Sequence, residues 1–151
     1  MDNTLKRHIT RWASPFFWAA FIFISSSISD PLFFLSLEGV HFLKRTRFLG
    51  QSLLYLTWAM SHVFVYAVLA FLAVRALAHQ RDFLPRIFWA AFALTLLYGI
   101  SDEIHQVFVP GRGFQYVDIL MDGVGALIGL GVYALYHLKR AQDFKKEALM
   151  L

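Results

Sequence analysis

The chain has 151 residues, of which 58% are hydrophobic and only 16% are charged. Soluble domains average about 45–50% apolar and about 25% charged residues, so this surplus of apolar surface excludes an ordinary small soluble fold. The absence of cysteine excludes disulfides, thiolate metal ligands and a cysteine nucleophile, and the net charge of +4 arises from short basic clusters between apolar runs, which is typical of membrane-protein loops rather than of nucleic-acid binding.

Four segments are predicted as membrane-spanning helices, each of which needs about 20 mostly apolar residues. The first follows a basic N-terminal stretch and ends in serines, so a cleaved signal peptide is an alternative, although no Ala-x-Ala site is present. The other three would hold the protein in the membrane in either case. The prediction is one all-α domain over residues 1–151, a bundle of about four transmembrane helices at approximately 12–28, 53–78, 87–106 and 117–137.

Two longer connections lie between these segments on one side of the predicted bundle. Residues 30–50 hold the apolar residues Phe33, Phe34, Leu37 and Phe42. This composition fits an amphipathic segment that lies in the membrane interface, and it fits an ordinary apolar loop equally well. The second connection, at about 108–116, contains Pro-Gly-Arg-Gly and is predicted to form a tight turn.

Lysine and arginine placement predicts the orientation of the bundle. Ten of the 14 basic residues lie in the two termini and in the connection after the second segment with its flanking helix ends, whereas four lie in the other two connections. Because cytoplasmic loops carry the excess of basic residues, both termini are predicted to be cytoplasmic.

All four segments carry polar residues at a similar height. At a rise of about 1.5 Å per residue, Asp102, Asp122 and His62 lie roughly 20–25 Å from the cytoplasmic helix ends, and the serines at 25–27 lie at a similar height. The hydrocarbon core is about 30 Å thick, which predicts a polar layer just below the outer surface. Ionisable residues inside spans are costly and commonly functional.

Residues three or four positions apart share a helix face, and the polar residues follow this spacing. A close approach of two helices is also expected, because two glycines of the fourth segment are four residues apart. We expect three stripes to face one another: Trp58, His62 and Tyr66; Thr95, Tyr98, Asp102 and Gln106, with Glu103 alongside; and Asp118, Asp122, Gly125 and Gly129.

Within this layer, Glu103 and His62 are candidate acid–base groups. Arg112 is expected to pair with a carboxylate of Asp102, Glu103 or Asp118, or to meet an anionic group of a ligand. A purely structural ion-pair network is the alternative. The predicted ligand-binding residues are Asp102, Glu103, Gln106, Arg112, Asp118, Asp122, His62 and Tyr66.

No cofactor and no metal site is predicted. Glu103, Asp102, His62 and Asp122 would form an oxygen-rich ligand set that favours a hard cation such as Mg²⁺, but they do not follow a known metal-binding spacing such as His-Glu-x-x-His.

The stretch Ser-Asp-Glu-Ile-His-Gln-Val-Phe-Val-Pro-Gly-Arg at 101–112, followed by Asp118 and the glycines of the fourth segment, resembles the VanZ-like family of bacterial membrane proteins. The Phe-x-x-Ser-Ser at 23–27 and the pair His62 and Tyr66 are similar to further family features. The resemblance extends over about residues 15–135.

Three positions differ from the family pattern. Trp58 and Ala59 stand where the family often has Asp-Lys, and Asp122 stands where it has Asn. The resemblance implies a role in the bacterial envelope, in the inner membrane, since the founding member is associated with low-level resistance to the glycopeptide teicoplanin. It implies no cofactor and no substrate.

Three functions are compatible with these features. The first is a non-enzymatic envelope protein that binds a lipid-linked or cell-wall-related ligand in an outward-facing polar pocket and affects teicoplanin susceptibility. The second is an intramembrane enzyme acting on a lipid-linked envelope precursor. The third is a small proton-coupled transporter, for which four helices are few. The expected partners are membrane lipids and a lipid-linked cell-wall precursor, and homo-oligomerisation is left open.

Overall fold

The computed structural model describes residues 3–29, 35–78 and 85–149, and it confirms the predicted all-α membrane fold. The described part of the chain holds five α-helices and one short hairpin of two antiparallel strands, in which Arg47 pairs with Ser52. In chain order the elements are α1 (Asn3–Ser26), α2 (Leu37–Arg45), β1 (Arg47–Phe48), β2 (Gln51–Ser52), α3 (Leu53–Leu77), α4 (Pro85–Gln106) and α5 (Tyr116–Leu149).

Three helices of the described chain are long and apolar enough to cross a membrane. They are α3, α4 and the Tyr116–Arg140 part of α5, and they match the second, third and fourth predicted segments. Helix α1 falls outside this group because its apolar stretch is short and is preceded by Arg11 and interrupted by Ser14 and Pro15. The number of four spans therefore stays a prediction, as does the cytoplasmic position of the termini.

The closest helix pair is α3 with α5. Residues Ala70, Ala73 and Val74 of α3 pack with Ala126 and Leu130 of α5 in the largest buried apolar cluster of the described chain. These side chains are mostly small, so the two helices lie close together along much of their length. This contact fixes the position of α5, which carries two of the acidic residues.

Hydrogen bonds attach α1 to the bundle at two points along its length. The Trp18 indole Nε1 donates to the Val65 carbonyl oxygen at 2.8 Å, and the Tyr98 hydroxyl donates to the Ala19 carbonyl oxygen. Burial of Ile22 against Tyr66 adds an apolar contact. Helix α1 is thereby held against α3 and α4, with Ser26 at its C-terminal end.

The connection between α1 and α3 contains a short amphipathic helix, α2. Ser36 caps it by accepting a hydrogen bond from the Gly39 amide, and its last turn is basic. Its apolar residues Leu37 and Phe42 are exposed, as are Phe48 and Leu49 of the hairpin that follows, and this fully described helix has no buried residue. Phe33 and Phe34 of the predicted loop lie outside the described residues.

The tight turn predicted before α5 is confirmed. The Arg112 amide donates to the Val109 carbonyl oxygen at 3.0 Å, and Gly111 has a φ of 80°. Proline at the second position and a glycine with positive φ at the third are the features of a type II turn. The turn brings the chain back over the end of α4 and places Arg112 above the polar layer.

Candidate functional site

Side chains from the four longest helices meet in one buried polar layer, as the helical rise predicted. Seven of the eight predicted site residues are buried, and Arg112 is half-buried. Glu103 and Asp122 are 0% and 1% exposed, respectively. Since buried charges are costly unless they are paired, the contacts within this layer decide what it can do.

The first group of contacts joins α1 to α4. The Ser26 hydroxyl donates to Asp102 Oδ1 at 2.6 Å, and the Gln106 amide Nε2 donates to Asp102 Oδ2 and to Glu103 Oε1, each at 3.0 Å. The backbone amide of Gln115 donates to Glu103 Oε2 at 2.9 Å, which ties the start of α5 to α4. Both carboxylates are therefore held by neutral donors.

The second group centres on His62 of α3, which lies between two carboxylates of α5. Its Nδ1 is 2.8 Å from Asp122 Oδ1, a hydrogen-bond distance. Its Nε2 is 3.6 Å from Asp118 Oδ2, which is too long for a hydrogen bond. The Asp122 contact fixes the ring, and the second nitrogen consequently faces Asp118.

The expected ion pair between Arg112 and a carboxylate is wrong. Among the residues that the structure describes, none offers a carboxylate to Arg112 at salt-bridge distance. Its guanidinium lies instead over the Trp58 ring, with Cζ 4.4 Å from the ring centroid, a cation–π geometry. The Trp58 indole Nε1 in turn lies 3.4 Å from Asp118 Oδ2, to which it donates.

Desolvation also affects Arg112. Burial lowers the pKa of its guanidinium, and the nearby carboxylates of Asp102, Glu103 and Asp118 oppose that shift. Arginine remains charged in proteins under ordinary conditions, so Arg112 brings a permanent positive charge to the edge of the layer.

A cavity of about 320 Å³ lies between α1, α3 and α4, beside the turn that carries Arg112. Most of its wall is apolar, with Phe21 and Ile22 from α1 and Leu54 and Val65 from α3. A smaller part of the wall is polar, and five of the predicted site residues contribute to it: His62, Tyr66, Asp102, Gln106 and Arg112.

Two residues that line this cavity have buried polar atoms without a hydrogen-bond partner. These atoms are the Tyr66 hydroxyl and two guanidinium nitrogens of Arg112, Nε and Nη1. Asp122 Oδ2 is also buried without a partner, but Asp122 is not one of the residues that line the cavity. Because an unsatisfied buried donor costs about 1–3 kcal/mol, donors of this kind that border a cavity are suited to binding a ligand.

The residues with metal-ligating atoms come together in a set different from the one considered from the sequence. His62, Glu103 and Asp118 each offer one ligand atom, and these atoms lie within 4.8 Å of one another. Asp102 is bound by Ser26 and Gln106, and Asp122 is the hydrogen-bond partner of the His62 ring.

The sequence model of the VanZ/LLP1 family matches residues 11–137 of the chain. The chain belongs to the VanZ/LLP1 family. Neither a curated protein nor a solved structure matches it. In this VanZ-like membrane protein the matched stretch includes every residue of the polar layer, from Ser26 to Asp122, so the site lies wholly within the family domain.

Two residues of the site were absent from the predicted ligand-binding set. The sequence predicts Ser26 only as part of a polar run at the right height. It places Trp58 on the stripe with His62 and Tyr66, where Trp58 also departs from the family pattern. A signal was present for both, because Trp58 is one helical turn before His62 and the serines reach the height of Asp102. Their hydrogen-bond partners lie on other helices, and local sequence patterns do not predict such partners.

Proposed function

We propose that this VanZ-like protein is a multi-pass protein of the bacterial inner (cytoplasmic) membrane that binds a lipid-linked or cell-wall-related ligand. Its cavity would face outward, and ligand binding there would reduce susceptibility to teicoplanin. The observation that carries the proposal is the Arg112 guanidinium, whose Nε and Nη1 atoms are buried beside the cavity without a hydrogen-bond partner.

The chemistry of Arg112 favours an anionic group on the ligand. Guanidinium groups bind phosphate and carboxylate through paired N–H donors, and Trp58 already holds the plane of this guanidinium in place. A preorganised donor loses less conformational entropy on binding than a free surface arginine does. The unpartnered Tyr66 hydroxyl, in the same cavity, supplies a further donor.

The walls of the cavity favour an amphiphile over a wholly polar ligand. Phe21, Ile22, Leu54 and Val65 provide apolar surface for a hydrocarbon chain, while Arg112 and Tyr66 contribute polar groups to the lining. Ligand pockets commonly combine mostly apolar walls with a few placed polar groups. A lipid-linked envelope molecule, with an anionic headgroup and a long chain, has this division of chemistry.

An intramembrane enzyme acting on a lipid-linked precursor is the second candidate. The contact between His62 Nδ1 and Asp122 favours it, because a carboxylate that orients a histidine is a common arrangement in acid–base catalysis. In that case His62 or Glu103 would be the proton-transferring group and Arg112 would stabilise developing negative charge.

The ligand proposal is tested by purifying wild type and Arg112→Ala in mild detergent and measuring the anionic lipids that each retains by native mass spectrometry. Hydrogen bonds to charged groups contribute about 1.5–3 kcal/mol, so we expect retention to fall roughly 10- to 100-fold in Arg112→Ala. Arg47→Ala is the matched control, since the Arg47 side chain is exposed and donates to the nearby Gly50 carbonyl in its own hairpin.

A companion measurement is the teicoplanin susceptibility of a sensitive host at matched membrane levels. Protection by wild type and Arg47→Ala, but not by Arg112→Ala, is the expected result. Equal protection by all three would show that Arg112 has no part in the activity. Turnover of a retained lipid, abolished in Glu103→Gln, would favour the enzyme instead.

A further inference from the structure

We propose that His62, Glu103 and Asp118 bind one divalent metal ion of the zinc or manganese type, with Asp122 as the positioning residue for His62. The proposed function does not require this site, because the ligand contact there is made by Arg112 and by the cavity wall. The metal site adds a second, positively charged group to the buried polar layer.

The three ligand atoms are brought together by three different helices. His62 comes from α3, Glu103 from α4 and Asp118 from α5, and the ligand atoms all lie within 4.8 Å of one another. All three residues are buried, at 8%, 0% and 4% exposure, respectively. Surface acidic clusters are common without a metal, but this set is interior and converges on one point.

His62 has the orientation of a metal-binding histidine. Its Nδ1 is held by Asp122 Oδ1 at 2.8 Å, while its Nε2 makes no hydrogen bond with any described residue and lies 3.6 Å from Asp118 Oδ2. Histidines that ligate a metal usually have their other ring nitrogen held by a carboxylate or carbonyl. The free nitrogen of a nine-tenths-buried ring is thus aimed into the cluster.

The charge of the layer gives an independent reason for a cation. Four buried carboxylates, those of Asp102, Glu103, Asp118 and Asp122, share the layer, and Arg112 is bound to none of them at salt-bridge distance. Buried charges in proteins are paired or coordinate metals. Asp122 Oδ2 has no hydrogen-bond partner. Hydrogen bonds among the described residues therefore do not satisfy all the oxygen atoms of these four carboxylates.

The ligand set selects the kind of ion. One imidazole with two carboxylates suits Zn²⁺ or Mn²⁺, whereas Mg²⁺ prefers oxygen ligands alone. Three protein ligands also leave a coordination position open, as catalytic rather than structural zinc sites do. This differs from the Mg²⁺-favouring set of Glu103, Asp102, His62 and Asp122, because the folded chain brings Asp118 into the cluster and assigns Asp122 to the histidine.

The test uses the full-length protein in detergent, stripped with a chelator and then titrated with Zn²⁺ or Mn²⁺ alone. Bound metal is measured by elemental mass spectrometry. We expect one ion per chain in wild type and in His105→Ala, a control that removes a histidine whose ring contacts Ser27. In His62→Ala we expect stoichiometric binding to be lost, and in Asp122→Asn we expect the affinity to fall roughly 10- to 100-fold with the stoichiometry retained.

Wild type that binds no ion at saturating metal would overturn the site, and so would equal binding by His62→Ala and wild type. Where His62→Ala fails to fold, pulsed electron paramagnetic resonance of Mn²⁺-loaded wild type decides the question. Nitrogen coupling from one imidazole supports the proposal, and its absence overturns it.

Arg112→Ala separates this site from the proposed function. We expect that variant to bind one ion per chain while losing its anionic lipid. If Arg112→Ala keeps both its metal ion and its lipid, the metal site is supported and the ligand proposal is contradicted. If folded Arg112→Ala loses the ion, the proposal of a metal site that does not depend on Arg112 is overturned.

Discussion

At the scale of single residues, two glycines of α5 determine how closely α5 approaches α3. A Cβ atom at Gly125 would collide with the backbone carbonyl of Val63, and one at Gly129 would collide with the backbone carbonyl of Ala67. Backbone atoms cannot move aside as a flexible side chain can, so these two positions require glycine. The glycine pair seen in the sequence thus has a packing role, and it keeps Asp118 and Asp122 within reach of His62.

The substitution Gly129→Ala is expected to destabilise the protein by about 1–3 kcal/mol, the usual cost of overpacking a tight contact. Gly131→Ala is the matched control on the same helix, because nothing lies within 4 Å of a Cβ there, and the better helix propensity of alanine should leave its stability unchanged or raised. Thermal unfolding in detergent measures both. Equal effects of the two substitutions would contradict the close contact.

At the scale of elements, side-chain hydrogen bonds attach α1 to α3 and α4. The apolar stretch of α1 is short and interrupted, so this helix falls short of the apolarity of a span. Trp18 donates to a backbone carbonyl of α3, and Tyr98 of α4 donates to a backbone carbonyl of α1. Ser26 then brings the end of α1 to Asp102. Because α1 forms one wall of the cavity, these bonds also shape the site.

Removing the hydroxyl in Tyr98→Phe is expected to loosen α1 and to lower the free energy of unfolding by about 0.6–1.7 kcal/mol, the range for hydrogen bonds between membrane helices. Tyr66→Phe is the control, because its buried hydroxyl has no partner among the described residues, so its removal should leave the stability unchanged or raise it. Unfolding in detergent without added lipid gives the comparison. A larger loss in Tyr66→Phe than in Tyr98→Phe would contradict these assignments.

At the scale of the whole molecule, the polar layer and the basic residues define two different sides. The turn with Arg112 and the hairpin adjoin the layer, whereas Lys139 and Arg140 follow the apolar part of α5. The positive-inside rule predicts that the latter side is cytoplasmic. The proposed cavity would then open toward the outer surface.

Because the chain has no cysteine, its topology can be tested with single introduced cysteines. In intact cells, a membrane-impermeant maleimide is expected to label Gly113→Cys, which lies in open space, but not Gln142→Cys, which is exposed beyond the span of α5. An N-terminal tag protected in the same way as Gln142→Cys would establish α1 as a fourth span. Labelling of both cysteines from outside would contradict the predicted orientation.

Much of the fold and of the site follows from the sequence, because helical geometry is local. A fixed rise per residue sets the height of His62, Asp102 and Asp122 along their helices, and the spacing of three or four residues sets which side chains share a face. The Pro-Gly turn is likewise determined by the dihedral preferences of its own residues. These features required no knowledge of how the helices pack.

The tertiary structure decided which partner each polar side chain has. His62 binds Asp122 and faces Asp118, while Arg112 lies over Trp58 instead of pairing with a carboxylate. Such choices depend on the distance between helices, on their rotation about their axes and on side-chain rotamers, all of which are set by packing between residues about 60 positions apart. Local periodicity fixes a side chain's height and face, but only the packed bundle fixes its neighbour.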